Sequence, residues 1–326
     1  MRVTPQCDSI NTFTICATDS IQGNPALDFD GTNYVVVWND NTAGTNRMIA
    51  ARVTPAGTVL DAGNHIGQSG SDELYPDIVY NGSEYLAVWC HYNEPFGVWA
   101  RRVNTSAQPV GSIIIVDTTS TYKYMNPKVA FDGTNYLVVW PDMPTPPNFD
   151  IFGQLISSSG TLVGNRITIS DDSSTEREVQ VVFDGAKFLV AWNDSGAIVG
   201  RYVSTAGQPL GTTFPISATS GRVRCEPWVA MSDSNFMVVW AETVTTSKDI
   251  YGNVDMVIGV EELTKDIKQT ESLFPSIFSG PLHLPSHGNY IIYDISGCEV
   301  DPSCMGPGIY FIENDQKDIH KVVKIR

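Results

Sequence analysis

Apolar and polar positions along this chain fall into one pattern that returns about every fifty residues. Its core is the phrase "FDGTNYLVVWPD", residues 131–142, which is nearly repeated as "FDGTNYVVVWND" at 29–40. Three variants follow the same plan: "VYNGSEYLAVWCH" from Val79, "VFDGAKFLVAWND" from Val182 and "AMSDSNFMVVWAE" from Ala230. The tryptophans of the phrase stand at 38, 89, 140, 192 and 240, at spacings of 51, 51, 52 and 48. A fixed period of this length marks a repeat architecture. Within each unit a short apolar run such as "NPKVAF" precedes an Asp-Gly or Asn-Gly pair, and such pairs favour the positive φ of a tight hairpin. The run after it, "NYLVVW", is apolar on both faces and rich in β-branched residues, as expected of a strand in a sheet packed between two others. A variable loop leads to a third strand, seen at 48–53, 98–103, 150–155, 197–202 and 249–254, and a turn leads to a fourth, such as "NRITIS" from Asn165.

Four antiparallel strands per unit make the blade of a β-propeller, and five units predict an all-β, five-bladed ring. The unit around Trp240 lacks a clear fourth strand, whereas "NTFTICATDS" from Asn11 reads as a spare one. The N-terminal strand is therefore expected to complete the last blade and close the ring, which removes an exposed sheet edge. The expected domains are a propeller over 11–256, a polar linker over 257–272 and a small β segment over 273–326. The repeated Asp30, Asp132 and Asp184 are assigned to the hairpin turns, and the five tryptophans to the space between blades.

Composition narrows the partners. The chain has 326 residues and a net charge of −16, with 20 basic against 36 acidic residues. That sign repels phosphate backbones and anionic lipid, so nucleic acid and membrane surfaces are excluded, while cations and neutral polymers such as glycans remain. No apolar run approaches the roughly 20 residues of a membrane span. The opening "MRVTPQCDSI" carries no apolar signal-peptide core, so the protein stays inside the cell or uses a leader that this sequence does not show. Cys7 with Cys16 and Cys298 with Cys304 are near enough in sequence for two local disulfides; scattered reduced thiols are the alternative.

Candidate chemistry gathers where the second strands end. In a propeller those ends meet around one mouth of the channel. The residues just past each tryptophan include Asp40, His91, Asp142, Asp194 and Glu242, and the entries to the first strands add Glu178 and Glu226. Three readings stand for the carboxylates. Asp40, Asp142, Asp194 and Glu242 hold a hard cation, Ca²⁺ before any transition metal; or acids among them work on a glycosidic bond; or each caps loop amides of its own blade. Trp228, with Glu178 and Glu226, is the candidate ligand-stacking residue at the mouth. Tyr92, Phe96, Trp99 and Phe149 are other loop aromatics, several of them core. Arg52, Arg102 and Arg201 recur on third strands, with Gln154 and Asn253 in the other two blades, and read as salt-bridged or solvated. His91 beside Cys90 is no dyad, because adjacent strand residues point to opposite faces. No GxSxG, HExxH, phosphate loop or paired CxxC is present.

Resemblances add to this. The tail elements "YIIYDISG", "GPGIYFIE" and "HKVVKIR" resemble the C-terminal sorting domain of bacterial type IX secretion cargo, over roughly residues 273–326. Cys298 stands where that family usually has an arginine. The resemblance implies export and display at the cell surface, or release. The repeats also resemble those of large secreted bacterial proteins, which brings no activity. Five-bladed propellers of the arabinanase and invertase-like families place acidic residues on successive innermost strands; the corresponding strands here offer Asp28 and Asp77, but Lys128 in the third blade. The function expected is thus a monomeric, exported, non-catalytic propeller binding a glycan or a surface protein through its acidic mouth. The alternative is a hydrolase at the same mouth, in its metal-dependent form built on Asp40, His91, Asp142, Asp194 and Glu242.

Overall fold

The structure, a computed structural model, describes residues 2–3, 9–42, 44–118, 126–145, 148–172, 174–217, 223–232, 235–244, 247–256, 277–278, 290–294, 299–302, 305–306, 308–314 and 319–324. The chain divides into two compact units, Met1–Ile258 and Gly259–Arg326. At the front, β1 (Arg2–Val3) pairs with β2 (Ser9–Asn11). Five antiparallel sheets follow as the blades of a propeller. Blade one holds β3 (Gln22–Phe29), β4 (Tyr34–Asp40), β5 (Arg47–Val53) and β6 (Asn64–His65). Blade two holds β7 (Glu73–Tyr80), β8 (Tyr85–His91), β9 (Gly97–Val103) and β10 (Pro109–Asp117). Blade three holds β11 (Lys128–Phe131), β12 (Asn135–Thr145), β13 (Asn148–Ser157) and β14 (Leu162–Ser170). Blade four holds β15 (Glu176–Phe183), β16 (Lys187–Asp194), β17 (Ala197–Ser204) and β18 (Pro209–Pro215). Blade five holds β19 (Arg224–Met231), β20 (Asn235–Val244) and β21 (Ser247–Met256).

The recurring phrase does what its chemistry dictates. Asp30, Asp132 and Asp184 each accept the amides two and three residues on, at 2.6–2.8 Å, which holds the hairpin turn. Their glycine partners Gly31, Gly133 and Gly185 take φ of 90 to 95°, a conformation that Cβ disfavours. The second strands are buried on both faces. Leu86, Val88 and Cys90 pack with Val129, Val138 and Trp140 of the next blade, while Trp89 turns to the other side, against Val35 and Val37. The core is thus a series of interblade layers, and Trp38, Trp89, Trp140, Trp192 and Trp240 all lie buried in it.

The N-terminal segment packs its apolar side chains on blade one, whereas the expected closure had it complete the last blade. Phe13, Ile15 and Cys16 lie on Val36, Trp38, Ile49, Ala51 and Val53, the face that has no preceding blade. The sheet pairing expected with it is not made: among the described residues the fifth sheet has three strands, and residues 12–20 form none. The segment's apolar side chains find burial on blade one without its backbone joining β21. Cys16 carries a free thiol, and Cys7, the other end of the expected bridge, lies outside the described residues. The Cys298–Cys304 pair lies outside the described residues. In the second unit, β22 (Ile277–Phe278), β23 (Tyr290–Asp294), β24 (Gly308–Asn314) and β25 (Ile319–Lys324) form one sheet in the order β22-β25-β24-β23. The last three are the strands expected from the tail motifs.

Candidate functional site

The residues that follow each tryptophan sit at matching places, yet most are neutralised inside their own blade. Asp40 accepts from the Thr42 amide at 2.8 Å and from Arg47 at 3.3 Å. Burial works against its charge, but Thr42 and Arg47 together hold its carboxyl below the usual range. Asp142 pairs with Arg166 at 2.7 Å, and buried Glu242 with buried Arg224 at 2.8 Å. His91 is buried and stacked on Trp99, ring centroids 3.5 Å apart, and burial pushes its pKa down to about 4. It is therefore neutral near pH 7. Cys90 belongs to the opposite interblade layer, as the strand geometry required. Among the described residues no group of three or more His, Cys, Asp and Glu side chains is placed to hold a metal ion together. The loop aromatics Trp99 and Phe149 are core, and Arg177 stacks over Phe149 at 4.5 Å.

Of the three arginines expected to be salt-bridged or solvated, two form ion pairs. Arg52 binds Asp61 at 2.9 Å, and Arg102 binds Glu84. Arg201 instead spans blades, donating to the Ile169 carbonyl at 2.7 Å. Arg101 makes the matching bond to Ile66 at 3.1 Å, so Arg101, rather than Arg102, is the counterpart of Arg201. Asn253 does the same to Ile216 at 2.8 Å.

The innermost strands carry a feature that periodicity did not show. The register of β3, β7, β15 and β19 breaks between Gly23 and Ala26, Leu74 and Asp77, Arg177 and Gln180, and Cys225 and Trp228. At each bulge one non-glycine residue takes positive φ: Asn24 at 50°, Tyr75 at 56°, Glu178 at 57° and Glu226 at 56°. Each stands fourteen residues ahead of its blade's tryptophan. Such residues are costly and persist where surrounding structure imposes them. The signal was available: Pro25, Pro76 and Pro227 follow three of the four, and proline inside a strand marks a bulge or an edge. β11 has no such break.

Just beyond the bulges, side chains link neighbouring innermost strands. Asp28 accepts the Tyr80 amide of the next blade at 2.7 Å, and Asp77 accepts that of Val129 at 3.0 Å. Burial raises the pKa of Asp77, against the nearby charge of Lys128. Glu178 accepts the Glu226 amide at 2.7 Å and Asn193 Nδ2 at 3.1 Å. Glu226 itself is exposed and pairs with Lys248 at 3.0 Å. Trp228, 58% exposed, stands on the fifth innermost strand, with Lys128 Nζ 5.6 Å from its ring centroid. Of the expected trio, Glu178 meets the Glu226 amide across two adjacent innermost strands, and Trp228 stands two residues beyond Glu226 on β19. Lys128, which looked only like a departure from an acidic pattern, is the basic member of the group. The arrangement offers an open aromatic face, one exposed carboxylate in Glu226, a half-buried one in Glu178 and the ammonium of buried Lys128. That set suits binding of a hydroxyl-rich ligand.

No family model matches the chain, and no curated protein matches it. Solved structures do. A thermostable family-43 glycoside hydrolase is 12% identical with a TM-score of 0.45, over 74% of this chain and 91% of that one. An endo-arabinase from Bacteroides thetaiotaomicron VPI-5482 is 12% identical with a TM-score of 0.44, over 73% and 94%. The catalytic domain of a GH62 alpha-L-arabinofuranosidase from Coprinopsis cinerea is 11% identical with a TM-score of 0.44, over 72% and 90%. The likeness is one of chain course and transfers no residue role.

Proposed function

We propose that this propeller binds a carbohydrate at the channel mouth, with Trp228 as the stacking platform and Glu178, Glu226 and Lys128 around it. The exposure of Trp228 is the observation that carries the reading. A tryptophan normally buries its large apolar surface, and this one keeps more than half of it open on an innermost strand beside charged groups. A sugar ring covers such a face with its C–H edges while its hydroxyls reach acceptors at the rim. A glycan array, run with calcium and with chelator, tests it. Binding by the native protein and loss in Trp228→Ala support the reading; an array equally silent in both conditions overturns it.

A hydrolytic reading has one observation of its own: Asp28 and Asp77 stand on successive innermost strands, and burial raises Asp77 toward the protonated form. Lys128 takes the third position, where a further acid would be needed, and both aspartates are engaged by backbone amides. Release of reducing sugar from arabinan by the native protein, absent in Asp28→Asn and Asp77→Asn, would move the function to this reading.

Export belongs to the same proposal. It rests on β23, β24 and β25 carrying the sorting-type motifs in order. Expression in a bacterium with type IX secretion, with and without residues 273–326, tests it: loss of the surface-exposed pool on truncation supports export through this segment. An unchanged distribution removes it.

A further inference from the structure

The five blades do not treat the mouth alike. Blades one, three and five each neutralise their acidic residue with an arginine: Asp40 with Arg47, Asp142 with Arg166, Glu242 with Arg224. Blade two sets Glu73 opposite His91. Blade four sets one carboxylate against another with no arginine beside the pair. Glu176 and Asp194 are direct cross-strand partners of β15 and β16, so their Cβ atoms stand about 5 Å apart. Neither has a basic partner among the described residues.

Three oxygens lack any hydrogen-bond partner while being shut off from solvent: Glu176 Oε2 and Asp194 Oδ1 of the facing pair, and Ser174 Oγ two residues ahead of Glu176 in the chain. Glu176 has no exposed surface at all. Its other oxygen is fully engaged, by Ser170 Oγ at 2.6 Å from the outer strand of blade three and by Trp192 Nε1 at 3.0 Å. Oε2 is thus held in place with nothing to bind. Buried polar atoms are nearly always satisfied, and two facing carboxylates without a counter-charge are strongly unfavourable. We propose that Glu176 Oε2, Asp194 Oδ1 and Ser174 Oγ are ligands of a hard divalent cation, Ca²⁺ before Mg²⁺, at the interface of blades three and four. Two carboxylates balance the double charge, and an all-oxygen set suits hard cations over zinc or copper. Calcium's remaining positions, out of about six to eight, go to water and main-chain carbonyls. The site differs from a ring-wide site on Asp40, Asp142, Asp194 and Glu242, because the other three of those acids have arginines. It stands independently of the carbohydrate reading.

Trp192 makes the test direct, since its indole is bonded to Glu176 and can sensitise Tb³⁺ luminescence. The full chain, stripped with chelator, should show a saturable Tb³⁺ signal that Ca²⁺ displaces, and a melting temperature that rises with free Ca²⁺. Glu176→Gln and Asp194→Asn should each lower Tb³⁺ affinity at least tenfold, with circular dichroism confirming the fold. Should one variant not fold, the other and the native competition still decide. A native protein with no saturable Tb³⁺ signal and the same melt in Ca²⁺ and chelator overturns the site. Variants that bind as the native protein does overturn this ligand assignment.

Discussion

Blade five and the blades before it carry the same pattern and meet different fates. Three residues ahead of the tryptophan stand Val35, Leu86, Leu137 and Leu189 in blades one to four, all fully buried; in blade five the same position is Met237, 49% exposed. Its cross-strand neighbours on that face share the exposure, with Val254 at 56% and Trp228, further along the face, at 58%. The other face of blade five, with Val238 and Trp240, is buried against blade four. A strand that is apolar on both sides is therefore a request for two neighbours, and among the described residues blade five receives one. The same lack of cover among the described residues leaves both Met237 and Trp228 exposed.

The comparison can be broken most sharply on the covered side of blade five. Arg224→Ala would strand Glu242 in a buried site without its cation. Loss of one partner from a buried pair costs about 3–5 kcal/mol, read as a lowered midpoint in urea. A change as small as a surface substitution would mean that blade five is not packed on blade four. Next in size is the matched pair Leu137→Ala and Met237→Ala. The first should cost about 2–5 kcal/mol by leaving a cavity, the second less than about 0.5 kcal/mol. Equal losses would show that the exposed face is covered in solution.

A pH series probes the seam between blades one and two. Glu73 is fully buried and bonded to the Met48 and Gln68 amides, and burial raises its pKa from 4.5 to about 7. Between these values the folded protein holds a proton that the unfolded chain has released. Stability should therefore fall as pH rises from about 4.5 through 7. Glu73→Gln should flatten that part of the profile, by an amount on the order of 1–3 kcal/mol between pH 5 and 8. An unchanged slope in thermal melts would exclude Glu73 as its source. The smallest effect expected is at a hairpin: Asp132→Ala removes the one oxygen that accepts two turn amides and should cost about 1 kcal/mol, with Asp132→Asn recovering much of it.

Much of this protein was legible before any coordinates. The period of the tryptophans determined five blades, because a 50-residue unit that is apolar on both strand faces can be buried only by copies of itself. The Asp-Gly pairs determined the turns, since the side chain that accepts the turn amides lies within three residues of them. Local chemistry needs only local sequence. What the tertiary structure decided was partnership at a distance. Asp40, Asp142 and Glu242 read as a ring of like charges until Arg47, Arg166 and Arg224 were seen beside them, 7, 24 and 18 residues away along the chain. Asp194 read as their equal, yet the carboxylate it faces across the strand pair, Glu176, comes with no arginine beside it among the described residues. The N-terminal strand read as the partner of β21, but its side chains go to blade one and its backbone does not join the fifth sheet. Apolar periodicity says which faces must be covered and leaves open what covers them. A charge takes its meaning from whatever the fold sets within a few ångströms of it.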